Sequence, residues 1–356
     1  MLVKILPLLI ALYVLSILIF SMGLGTMLTF ASSHWFLAWM GLEINTLAII
    51  PLMAKSYHPR ATEATTKYFI IQAVAAALIL FASATNAWIT GEWDIKQLTH
   101  PLATNTVMLA LALKLGMAPL HLWMPEVLQG VTLTTGLIIS TWQKLAPMAL
   151  VYQIAPTVNP TLLLALGVTS ALVGGWGGID QTQLRKLLAY SSITHMGWMI
   201  IVLKFMPGLM LLNLMIYVLM TSTVFLALKE VSATKINTLA LSWPKAPTLT
   251  ALLMLSILSL AGLPPLTGFM PKWLILQELT KQELPLIATL MAMTALLSLF
   301  FYTRMCYAMT LTISPGTNNN YTTWRLYKMR KYLPLAITTT GTLMLLPLTP
   351  AMTTML

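Results

Sequence analysis

The chain has 356 residues, of which 58% are hydrophobic and only 8% charged, with a mean hydropathy of +0.82. A water-facing domain carries about 25% charged residues, so a soluble globule is excluded and lipid is the consistent solvent. Twenty Lys and Arg against nine Asp and Glu give a net charge of +11, which in a membrane chain points to loop asymmetry rather than to nucleic acid.

Segments of roughly 20 apolar residues long enough to cross a bilayer recur eleven times. They lie at about 5–30, 33–53, 66–89, 105–128, 132–153, 160–178, 187–205, 208–228, 248–278, 284–312 and 332–350. Residues 1–20 read as the first of these helices rather than as a cleaved signal, because the apolar run is long and no clear small-residue cleavage site follows. The expected fold is an all-α membrane protein with eleven transmembrane helices, as one polytopic domain over 1–356. The positive charges support the count. With the N-terminus and the loops after even-numbered helices on one side, that side takes Lys4, Lys55, Arg60, Lys67, Arg185, Lys186, Lys229, Lys235, Lys245, Arg304, Arg325, Lys328, Arg330 and Lys331. Only Lys96, Lys204 and Lys281 fall opposite. The bias places the N-terminus on the cytoplasmic or matrix side.

Two segments share one interruption. Gly116-Met117-Ala118-Pro119-Leu120-His121-Leu122-Trp123-Met124-Pro125-Glu126 and Gly262-Leu263-Pro264-Pro265-Leu266-Thr267-Gly268-Phe269-Met270-Pro271-Lys272 both fit G-x-x-P-L-x-x-x-M-P followed by a charge. Proline has no amide hydrogen and clashes with the carbonyl four residues back. Helices 4 and 9 are therefore expected to break at Gly116/Pro119 and at Gly262/Pro264/Pro265, freeing carbonyls near Leu115 and Ala261. One such site would be an ordinary proline kink, but two with matching spacing suggest an internal duplication. Each break lies in the fourth helix of a block of five, giving two inverted repeats at about 1–153 and 158–312, with a final helix at about 332–350.

Four charges lie deep in apolar segments: Glu43, Lys114, Lys144 and Lys272. Each costs about 2.5–3.5 kcal/mol at the bilayer centre, so such groups pair or mark ion pathways. A static Glu43–Lys114 bridge would explain two of them but leaves two lysines over. Lysine, unlike arginine, can release its proton when desolvated, so the set suits a proton relay. Arg304, near the positive-side end of its segment, is expected to snorkel toward the headgroups. His121 follows Lys114 by seven residues, on roughly the same face if the helix continued through the break. His195 lies mid-helix, and for each histidine packing and titration are equally open readings. Gly174 to Gly178 follows an apolar helix rather than a strand and lacks the G-x-G-x-x-G spacing, so it reads as helix packing and a helix end. The single cysteine, Cys306, excludes an internal disulfide framework and a cysteine-ligated iron–sulfur or zinc site made by this chain alone.

Several stretches match a known family. Ser33-His34-Trp35, Trp39 to Asn45, His58 to Phe69, Ala112 to Gly130, Thr141 to Pro147, Gly174 to Gly197 and Gly262 to Trp273 resemble the subunit-2 family of animal mitochondrial NADH:ubiquinone oxidoreductase, respiratory complex I. The resemblance implies an antiporter-like core subunit of the proton-pumping membrane arm, with eleven helices, in the mitochondrial inner membrane. Its N-terminus would face the matrix and its C-terminus the intermembrane space. By motif, the family's relay residues fall on Glu43, Lys114, Lys144 and Lys272, with Glu43 and Lys114 expected to form a charge pair. NADH, FMN, iron–sulfur clusters and ubiquinone belong to the complex as a whole, and no cofactor or metal is implied in this chain. Implied partners are neighbouring membrane-arm subunits and a lipid such as cardiolipin. A cation/proton antiporter subunit of the related exchangers, or a scaffold without transport, are the competing expectations.

Overall fold

The computed structural model describes residues 2–55, 58–243, 246–311 and 332–355. Lys245, Arg325, Lys328, Arg330 and Lys331, and the end of the 284–312 segment at residue 312, lie outside them. Among the described residues every regular element is helical, and the only bridges are the isolated pairs His34–Asp94 and Gln183–Lys235.

The chain divides into two compact units, Met1–Leu162 and Leu163–Leu356. The first holds α1 (Leu2–Ala31), α2 (Trp35–Ala54), α3 (Pro59–Thr90), α4 (Pro101–Leu115), α5 (Trp123–Gly130), α6 (Leu133–Ser140) and α7 (Trp142–Ile154). Here α2 packs against α1, α3 and α7, while α4 packs against α3 and α7. After α8 (Pro160–Ile179), the second unit holds α9 (Leu184–Val202), α10 (Pro207–Val231), α11 (Ile236–Ala240), α12 (Pro247–Ala261), α13 (Phe269–Lys281), α14 (Pro285–Leu311), α15 (Leu333–Met344) and α16 (Thr349–Met355). Within it α10 packs against α9, α12 and α15, and α14 against α12 and α13.

Proline opens many of these helices. Pro59, Pro101, Pro207 and Pro247 sit in the first turn, where the missing amide hydrogen would have had no helical partner anyway. His34 and His58 cap α2 and α3, each ring nitrogen accepting the backbone N–H two residues on at 3.2 Å. Six described helices are long and apolar enough to cross a membrane, by length and composition.

Two segments read from sequence as continuous are divided. The 132–153 segment splits at Thr141 (φ −113, ψ −70) into α6 and α7. The Ser140 and Thr141 hydroxyls both donate to the Leu137 carbonyl, at 3.1 and 2.7 Å, and such local bonds compete with the helix's own ladder and bend it. Pro147, one turn farther, leaves the Gln143 carbonyl without its amide donor. The 332–350 segment bends by 63° between α15 and Leu346–Thr353, where Pro347 and Pro350 interrupt the amide supply. In the 105–128 segment the expected break occupies residues 116–122, so the helical register joining Lys114 to His121 is lost.

Arg304, expected to snorkel, finds its hydrogen-bond partners within the protein. Its Nη1 donates to the Ile179 carbonyl and its Nη2 to Gln181 at 2.6 Å. The guanidinium caps the end of α8, whose last carbonyls lack helical donors and carry the negative end of the helix dipole. Arg304→Met should therefore leave two carbonyls uncovered at about 1–3 kcal/mol each, with Arg304→Lys recovering part of the loss. Thermal unfolding of the assembled enzyme measures both. Gly174 to Gly178 makes close contacts instead of a ligand loop: a Cβ on Gly174 would lie 2.9 Å from the Thr194 backbone nitrogen, and one on Gly178 2.8 Å from the Phe301 ring.

Candidate functional site

Both interrupted helices end in the same cap. Gly116 (φ 73, ψ 43) closes α4 and Gly262 (φ 84, ψ 44) closes α12, each in the left-handed region that only glycine enters freely. In α4 the amide of Met117 reaches the Ala112 carbonyl at 2.9 Å and that of Gly116 the Leu113 carbonyl at 3.2 Å. In α12 Leu263 reaches Leu258 at 3.4 Å and Gly262 reaches Ser259 at 3.0 Å. This is the Schellman arrangement, which tightens the last turn but leaves later carbonyls open.

What covers the open carbonyls differs between the two. At α12 the Lys272 ammonium, buried, donates to the Ala261 carbonyl at 2.8 Å. Its side chain lies directly over Gly262, where a Cβ would stand 3.0 Å from Lys272 Cδ and 3.1 Å from Nζ. At α4 a neutral donor instead adds a second bond to a carbonyl already held by the Gly116 amide. The Trp123 indole N–H donates to the Leu113 carbonyl at 3.0 Å, and its ring meets Tyr68 edge-on at 5.7 Å. The position matching Lys272 is Glu126, whose carboxylate accepts from Lys67 at 2.7 Å, while Lys67 also pairs with Glu63 at 2.7 Å.

Lys114 occupies the last turn of α4 and is 6% exposed. The negative end of a helix dipole favours a cation there, yet Nζ has no hydrogen-bond partner among the described residues. The charge pair expected with Glu43 is therefore not a contact. Glu43 instead accepts the Thr46 hydroxyl at 2.8 Å on its own helix, although its field reaches Lys114. The buried Thr46 hydroxyl, one turn along the same helix, competes for the carboxylate.

Lys144, 4% exposed on α7 just past the Thr141 break, faces the same space as Lys114. A cavity of about 20 Å³ is lined by both lysines with Asn45, Thr46, Tyr68 and Gln72, enough for one water molecule. The Asn45 carboxamide is buried and unpartnered among the described residues, and Gln143, next to Lys144, donates to the Asn45 backbone carbonyl at 3.3 Å. Asn45 and Gln72 escaped the sequence reading because they carry no charge. Their signal was present, since a carboxamide in a membrane helix faces the protein interior.

His121, 8% exposed, sits within the break with Nδ1 3.3 Å from the Pro119 carbonyl. His195, 4% exposed on α9 in the second unit, lies against the Tyr217 ring with centroids 5.4 Å apart. The structure thus gathers Lys114 and Lys144 at one cavity with Glu43 one turn from its lining, and holds Lys272 and His195 in the other unit. Among the described residues no group of three or more His, Cys, Asp or Glu side chains is placed to hold a metal.

The family described as NADH:quinone oxidoreductase/Mrp antiporter, TM, matches residues 32–298, and that described as NADH dehydrogenase subunit 2 C-terminus matches 299–353. NADH-ubiquinone oxidoreductase chain 2 of Salmo salar is 69% identical over 344 residues, covering 97% of this chain and 99% of the relative. The chain belongs to the chain 2 family of NADH-ubiquinone oxidoreductase. The Danio rerio member is 65% identical over 339 residues, 95% of this chain and 97% of its own. Among solved structures, a chain of respiratory complex I from Thermus thermophilus matches with a TM-score of 0.82 at 26% identity, over 96% of this chain and 80% of that one. The Mrp complex from Dietzia sp. shares the fold, with a TM-score of 0.81 at 16% identity over 94% and 75%. As a member of the chain 2 family, this protein is an antiporter-like membrane subunit of a proton-translocating oxidoreductase, and the separate exchanger reading gives way.

Proposed function

We propose that this subunit carries protons through the site built on Lys114 and Lys144, under the control of Glu43, and onward by way of Lys272. The observation that carries the reading is the cavity shared by two buried ammonium groups. Neither α4 nor α7 has a packing reason to bring lysine there, and the cost of about 2.5–3.5 kcal/mol per charge is sustained only where the group works or pairs. A water in the cavity would stand between the two amines and let a proton pass without either side chain leaving hydrocarbon. The gap between Glu43 and Lys114 gives the control. Transfer of Glu43 from Thr46 toward Lys114 favours the ammonium, and its return favours release.

His121 and His195 are secondary candidates, at the edge of the first break and beside Tyr217. The two interrupted helices, with their common cap, support inverted repeats at about 1–153 and 158–312. Counting α4 with α5, α6 with α7, α12 with α13 and α15 with α16 as single crossings, and leaving out the five-residue α11, makes eleven. In this reading the chain lies in the mitochondrial inner membrane with its N-terminus toward the matrix and its C-terminus toward the intermembrane space. Neighbouring membrane-arm subunits border it, with a lipid such as cardiolipin at the rim. The redox cofactors of the complex, NADH, FMN, iron–sulfur clusters and ubiquinone, act in other subunits.

Lys144→Met tests the proposal. It keeps the length and apolar stem of the side chain but removes the exchangeable proton, and removing a proton-transfer group costs about 10²-fold or more. Proton movement per NADH oxidised, measured in reconstituted vesicles, is expected to fall, with turnover falling alongside where the steps are obligately linked. Wild-type values of both would overturn the assignment.

A further inference from the structure

Lys272 does not stand alone at the second break. The turn between α12 and α13 is held on several sides. Lys272 covers the Ala261 carbonyl, Gly268 lies so close to the Ser259 carbonyl that a Cβ would stand 1.8 Å from it, and the Thr267 hydroxyl donates to the Thr342 carbonyl at 2.7 Å. The last bond crosses 75 residues of sequence, and both threonines are 1% exposed. Thr342 sits in the final turn of α15, where carbonyls lack helical donors, just before the 63° bend. α15 therefore presents an open acceptor to the broken helix because of where it ends.

The matching position in the first break is His121, five residues after Gly116 as Thr267 is five after Gly262. There the ring meets a carbonyl of its own turn, Pro119. In the second break the same position reaches out to a separate helix that lies within the match to the subunit 2 C-terminus at 299–353.

We propose that the bond from Thr267 to the Thr342 carbonyl makes the terminal helix a strut for the second break, with Thr267 the positioning residue that holds the Ala261 carbonyl in reach of Lys272. The inference rests on the proposed relay role of Lys272 and extends it. With the strut in place the turn 262–268 keeps one conformation, and the ammonium keeps a fixed acceptor at the dipole end of α12. Without it the turn loosens, Lys272 loses its fixed acceptor, and the proton affinity of its amine is no longer set.

The test uses Thr267→Val, which keeps shape and removes the hydroxyl, with Thr267→Ser as the conservative rescue and Lys272→Met as reference, all in the assembled enzyme. Amide hydrogen exchange across 262–268 is expected to rise about tenfold in Thr267→Val, as the loss of one buried hydrogen bond predicts. The pH profile of proton movement per NADH is expected to shift with it, and Thr267→Ser should restore both. Unchanged exchange in Thr267→Val would overturn the strut. Faster exchange with an unmoved pH profile, where Lys272→Met does lower proton movement, would also overturn it, leaving the bond purely structural. Normal proton movement in Lys272→Met would instead remove the relay role of Lys272, and the positioning role of Thr267 with it.

Discussion

Lys114→Met is expected to leave the fold intact, or more stable, while sharply reducing proton movement. The usual consequence of removing a buried charge is loss of stability through an orphaned partner. Here the Lys114 ammonium has no hydrogen-bonded partner among the described residues to orphan, and the residue is 6% exposed. Methionine fills nearly the same volume and removes a membrane-insertion cost of about 2.5–3.5 kcal/mol. Assembly yield and thermal stability should therefore match or exceed those of the parent. Proton transfer through the site should fall about 10²-fold or more, as for any essential transfer group. Glu43→Gln separates control from transfer. The carboxamide can still accept the Thr46 hydroxyl, so local structure survives, but the negative field felt at Lys114 disappears. Its expected signature is a shifted pH profile of proton movement with normal assembly. If Lys114→Met were to pump normally, or to lose assembly outright, the charge would be structural and the relay reading would be wrong.

The second large effect is structural. Gly268→Ala is expected to prevent normal assembly of the subunit. A Cβ there would stand 1.8 Å from the Ser259 carbonyl oxygen and 2.9 Å from its carbon. The clash is with backbone, which no side-chain rotamer relieves, so α12 and α13 must move apart. That motion breaks the lysine–carbonyl and threonine–carbonyl bonds of the turn together. Gly116→Ala provides the contrast. Its nearest neighbour would be a Trp123 ring atom at 3.3 Å, so the chief penalty is the left-handed backbone, about 1–2 kcal/mol for an L-residue. Gly116→Ala should assemble with reduced thermal stability, and Gly268→Ala should accumulate as unassembled, protease-sensitive chain. Quantifying the subunit in purified membranes distinguishes the two.

The solvent was decided by composition: with 8% charge over 356 residues, no arrangement of the chain could face water throughout. Local chemistry was equally legible. Gly116 and Gly262 with their prolines mark helix ends because their backbone requirements depend on near neighbours alone, and the depth of Lys114, Lys144 and Lys272 follows from the apolar runs around them. Properties set by what another helix offers could not be read that way. Arg304 caps α8, and Thr267 finds a carbonyl 75 residues away. Asn45 and Gln72 join the lysines only because α2, α3, α4 and α7 converge on one cavity. The physical reason is one of range. Burial and backbone geometry are written residue by residue, whereas a hydrogen bond in hydrocarbon goes to whichever unsatisfied group the packing brings within about 3 Å, and packing is a property of the whole chain.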